Sequence, residues 1–118
     1  MKKIILLTST ILLSIGAWAS PSCEKLASIA TTNASNYGDE KTVAPIKGKK
    51  GTRAYFHNAP SNQCRTPLFV IPKDQVEVLQ DIISNGETWA YVVFIGGETQ
   101  TLTQGWIKKK YLGEMSYF

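Results

Sequence analysis

The chain has one histidine and two cysteines among 118 residues. That leaves few ligands for a metal site, and none is expected. No Cys-x-x-Cys occurs, so the usual thiol redox motif is missing. No Gly-rich loop stands between a strand and a helix, so there is no phosphate cradle and no nucleotide cofactor is expected. His57, the only histidine, has no nucleophile or carboxylate singled out by spacing, and an enzyme is not expected. Excess charge is also scarce. The net charge is +4, and loss of Lys2 and Lys3 with an N-terminal leader would halve it. Two short basic runs, Lys47-Gly48-Lys49-Lys50 and Lys108-Lys109-Lys110, lack interleaved aromatic residues. They read as solvated loops, and nucleic-acid binding is not expected. There are no internal repeats, and after residue 16 no apolar run could anchor the chain in a membrane.

The N-terminus, by contrast, is well marked. Lys2 and Lys3 precede an apolar stretch, Ile4 to Gly16, and Ala17-Trp18-Ala19 places small residues before Ser20. This is the pattern of a removable export signal over residues 1–19, with a stretch too short to span a bilayer. Ser20-Pro21-Ser22 before Cys23 does not fit a lipoprotein site. A soluble protein exported to the periplasm is therefore expected. In an oxidising compartment Cys23 and Cys64, the only cysteine pair, are expected to form a disulfide.

About 100 residues remain, enough for one small domain. Residues 20–51 read as an arm, with a short helix from Cys23 to Ala30 followed by a polar, turn-rich stretch. From residue 52 to 118 the pattern is β. Arg53–Phe56, Leu68–Ile71, Gln75–Gln80, Trp89–Ile95 and a segment from Thr99 to Ile107 are the expected strands. Pro72-Lys73-Asp74, Ser84-Asn85-Gly86-Glu87 and Gly96-Gly97 are turns, and Lys108 to Leu112 reads as a single 3₁₀ turn. The fold class is mostly β: a small barrel of about five strands, with the arm tied on by the disulfide.

Alternation along the fourth of these strands defines two faces. With Ala90, Val92 and Phe94 turned to the core, Trp89, Tyr91, Val93 and Ile95 turn outward, and Trp106 extends that row from the next strand. A solvated face is normally polar, so this apolar row calls for a cover. Two covers are open: the arm, through Leu26 and Ile29, or a binding partner. Val76, Val78, Ile107 and Leu112 complete the expected core. Tyr55, Phe56 and His57 border the long loop to Cys64, and Tyr111 and Tyr117 lie near the other end of the chain. With Asn58, Asp74 and Asn85 these aromatics are candidates for a shallow groove.

Trp89-Ala90-Tyr91-Val92-Val93-Phe94, then Gly105-Trp106-Ile107 and Leu112, resemble the C-terminal half of bacterial SH3-like domains. The segment Phe69 to Leu79 resembles the strand that precedes it, with Lys73 where the family often has glycine. The resemblance covers about residues 52–113. It implies an SH3-like barrel and a non-enzymatic binding module in the cell envelope, whose partner is a protein or a cell-wall peptide. The alternative is an inhibitor or immunity protein against a secreted toxin that attacks the cell wall. The candidate partner-binding residues are Tyr55, His57, Trp89, Tyr91, Trp106 and Tyr111. Intact-mass analysis of the exported protein is expected to show a chain beginning at Ser20; a mass retaining residues 1–19 would refute the leader.

Overall fold

The computed structural model describes residues 21–38, 40–96 and 101–118. The leader and Gly97 of the expected hairpin turn lie outside these residues. The order is α1 (Cys23–Asn33), β1 (Ser35–Asn36), β2 (Thr42–Pro45), β3 (Ala54–His57), β4 (Arg65–Val70), β5 (Gln75–Ser84), β6 (Glu87–Gly96), β7 (Thr101–Lys108) and β8 (Ser116–Tyr117). A 3₁₀ turn at Asn62–Cys64 precedes β4, and another at Lys109–Tyr111 follows β7. The protein is mostly β, as expected.

The strands form one sheet in the order β4-β3-β7-β6-β5-β2-β8, with β1 added beside β5. The expected closed barrel of five strands is not what forms. Among the described residues the sheet is open, has eight strands, and has β4 and β8 at the two ends of its main path. β4 and β5, though consecutive, are not neighbours in the sheet, and a tight turn joins them. In that turn the Asp74 amide bonds the Ile71 carbonyl, the Ile71 amide bonds Asp74 Oδ2, and Lys73 has φ of 83°. Ile46, just after β2, stitches this corner by exchanging hydrogen bonds with Asp74 and Lys73.

The extra strands come mainly from the arm. β2 pairs with both β5 and β8, and Ala44 and Ile46 belong to the core beside Phe56, Val70, Val76, Val78, Ala90, Val92, Ile107 and Leu112. The second half of the arm is thus built into the sheet. β2 was not legible in the sequence because a four-residue strand gives little periodicity. Phe94 departs from expectation: it is half-buried and packs on the margin of the core. It sits opposite Thr103, far along the β6–β7 hairpin, where the core has thinned. Asn85 and Gly86, both at positive φ, make the two-residue β5–β6 turn.

The disulfide joins Cys23 and Cys64 and seats α1 on the outer face of the sheet. Ser22 caps the helix by accepting from the Lys25 amide. The helix runs to Asn33, one turn longer than expected. Ala30, not Leu26 or Ile29, is the covering residue. It packs on Trp89 and Trp106, and Ala34, Ile82 and Tyr91 surround the cluster. The small alanine side chain lets the helix approach the indoles closely, while the helical period turns Ile29 to solvent. Behind the helix, Asp81 accepts from Tyr37 Oη at 2.7 Å and from Lys109 Nζ at 2.9 Å. Burial opposes ionisation of Asp81, yet these two donors outweigh it and hold the carboxyl below its ordinary value.

Trp89 is 2% exposed. Trp89→Ala is expected to cost about 3–5 kcal/mol and to lower the melting temperature by roughly 12 °C or more. Phe94→Ala is expected to shift it by less than half as much. A Trp89→Ala melt matching wild type would contradict the seating of α1.

Candidate functional site

β3 turns Ala54 and Phe56 into the core and Tyr55 and His57 to the other face. Gly105 on β7 allows β3 to lie close, since a Cβ there would meet the His57 carbonyl at 3.0 Å. Around Tyr55 and His57 the chain forms an open groove of about 530 Å³, lined also by Arg53, Asn62, Arg65, Lys108 and Tyr111. The disulfide fixes one wall. Cys64 ends the 3₁₀ turn that carries Asn62, and its carbonyl accepts from the Asn58 amide. The second 3₁₀ turn supplies Tyr111, and the end of β7 supplies Lys108.

Among the described residues the groove has three cationic side chains and no carboxylate in its lining. Arg65 lies over the Tyr55 ring at 4.4 Å and Arg53 over the Phe69 ring at 4.5 Å. The two rings meet edge to face at 5.5 Å. Lys108 reaches Glu87 at 3.9 Å, whereas neither Arg53 nor Arg65 makes an ion pair among the described residues.

His57 is buried at the groove floor. Its Nδ1 faces two carbonyls, Tyr55 O at 2.9 Å and Trp106 O at 3.2 Å. Two acceptors require Nδ1 to carry the proton, which leaves Nε2 of the neutral ring as an acceptor. Burial lowers the His57 pKa and outweighs the two carbonyl hydrogen bonds, and Lys108 and Arg65 lower it further. The arrangement offers anion-binding groups, aromatic faces and one neutral acceptor. It offers no nucleophile–base pair, and among the described residues no three His, Cys, Asp or Glu side chains converge to hold a metal.

Of the residues singled out by sequence, Tyr55, His57 and Tyr111 do come together. Trp89 and Trp106 do not belong to an open surface. They are buried beneath α1, on the far side of His57, with Trp89 edge-on to its ring at 4.7 Å. Tyr91 is half-buried against Trp106 at 5.2 Å. Asp74 caps the β4–β5 turn, and Asn85 lines a separate cleft of about 760 Å³ beside Leu26, Ile29 and Ile83. Asn58 does not line the groove, and Tyr117 lies on β8 at the opposite edge of the sheet. Sequence reasoning passed over Arg53 and Arg65. Arg53 was within reach, because it stands two residues before Tyr55 and so shares its face. Arg65 was not, because its place opposite His57 depends on strand pairing across a bulge.

The folded state disfavours protonated His57 relative to the unfolded chain. Below the ordinary value of 6.5 the unfolded chain therefore holds more protons, and stability falls as pH drops through that window. Melts between pH 7.5 and 5 are expected to show this loss, and His57→Gln is expected to flatten it. An unchanged slope in the variant would assign the pH dependence elsewhere. Compared with known proteins, the chain matches no family model, no curated protein and no solved structure.

Proposed function

We propose that this protein is a non-enzymatic, exported binding module that works by holding a protein or cell-wall peptide in the groove around Tyr55, His57 and Tyr111. The observation that carries this reading is the groove itself: three aromatic or imidazole side chains and three cations from separate elements line one concavity. A disulfide-fixed wall favours binding, because a pre-ordered site loses less entropy when it is occupied. The disulfide also agrees with an oxidising compartment, and hence with the periplasm implied by the leader. An SH3-like ancestry is supported by the run of β5, β6, β7, 3₁₀ turn and buried Leu112, in the order that the resemblance implies.

Filling the groove tests this reading without removing a charge. Asn62 is exposed on the groove wall, so Asn62→Trp is expected to leave the melt within a degree or two of wild type. The expected effect is a loss of at least about tenfold in partner capture, the scale of an interface hot spot. Capture is read by pull-down from periplasmic extract and by sedimentation with purified peptidoglycan. Capture by the wild-type protein in the pull-down alone selects a protein partner, and in sedimentation alone the cell wall. Undiminished capture in both assays would overturn the groove as the site.

A further inference from the structure

We infer that the groove recognises an acidic protein segment in extended conformation, with carboxylates four residues apart and an apolar side chain midway between them. This rests on the reading of the groove as a partner site and adds the chemistry of the partner. The determining feature is a column on the outer face of β3 and β4 that runs Arg53, Phe69, Tyr55, Arg65. Each guanidinium lies against a ring face, and each is exposed. Stacking restricts the long arginine side chains beforehand, so less entropy is lost when a carboxylate docks. Neither arginine has an acidic partner among the described residues, and no carboxylate lines the groove or the neighbouring pocket that shares Arg53. That pocket adds Lys50 and Lys73, so the field along the column has one sign.

Spacing decides the conformation of the partner. Tyr55 pairs with Phe69, and His57 pairs with Arg65. In backbone position Arg53 and Arg65 are therefore four strand positions apart along β3, roughly 13 Å at the rise of an extended chain. An extended segment presents residues i, i+2 and i+4 on one face at the same pitch. Carboxylates at i and i+4 then meet the two arginines, and the side chain at i+2 falls on the Tyr55–Phe69 pair. A helix would bring the same two carboxylates to only about 6 Å. Phe69 is 38% exposed and Ile71 is 47% exposed, which leaves apolar surface for that middle residue.

The probe is the capped peptide Glu-Ser-Leu-Ser-Glu, titrated into the mature, oxidised protein while backbone amide resonances are followed. A Gln-Ser-Leu-Ser-Gln twin and vesicles of anionic phospholipid serve as the comparison arms. The glutamate peptide is expected to shift amides of residues 53–57, 65–69 and 108–111. It should bind at least about tenfold more tightly than its glutamine twin and weaken as salt is raised. Arg53→Gln and Arg65→Gln are each expected to lose about threefold or more, with the melt unchanged because both side chains are exposed. Equal binding of the two peptides, or binding to vesicles alone, would overturn the acidic-segment inference while leaving the groove reading to the Asn62→Trp result. If Asn62→Trp leaves capture intact, the groove reading fails, and with it this inference.

Discussion

The Cys23–Cys64 bond lets a short helix remain on the outer face of a small open sheet. An isolated helix of eleven residues is marginal in water, and most of its stability must come from packing. Cys23 is its first residue, and the bond ties that end to Cys64, 41 positions away in sequence. In the chain-entropy account, closing such a loop contributes about 4 kcal/mol by restricting the unfolded state. Held there, the helix places Ala30 on Trp89 and Trp106. Without that cover the sheet would expose two indoles on a face that already carries Tyr91 and Ile82. The same bond acts at its other end. Cys64 closes the 3₁₀ turn of Asn62 and leads directly into Arg65, so one covalent link both covers the apolar row and shapes the groove.

His57 lies at the boundary between these two environments. One side of its ring meets buried Trp89, and its Nδ1 is engaged by carbonyls of β3 and β7. The groove is thus backed by the second core, and its floor cannot shift without disturbing the indole layer. Charge is distributed accordingly. Asp81 is paired with Lys109 and accepts from Tyr37 behind the helix, whereas Arg53 and Arg65 form no ion pair among the described residues and lie over ring faces. Exposed cations of this kind contribute little to folding either way.

The sequence by itself determined a good part of this protein. Alternation in Trp89 to Phe94 identified the two faces of β6, and a lone cysteine pair specified the disulfide that the structure contains. Both are local signals: a period of two, and a count of two. The inward residues Val76, Val78, Val92 and Ile107 were readable for the same reason, and all are buried. Tyr55, His57 and Tyr111, which the sequence reading placed in one candidate groove, line one concavity, although Tyr111 is distant in sequence.

Only the tertiary structure decided the rest. That the row of Trp89 and Trp106 is covered by Ala30 depends on helix rotation relative to the sheet, which small changes in docking would alter. That β4 turns sharply into β5 beside Ile46 depends on hydrogen bonds among Ile46, Ile71, Lys73 and Asp74, residues from separate parts of the chain. That Arg65 joins Arg53 in one column depends on strand register across a bulge between Tyr55 and His57. Each of these outcomes is set by contacts between residues far apart in the chain. Local patterning dictates which face a side chain occupies; only long-range pairing dictates what lies opposite it.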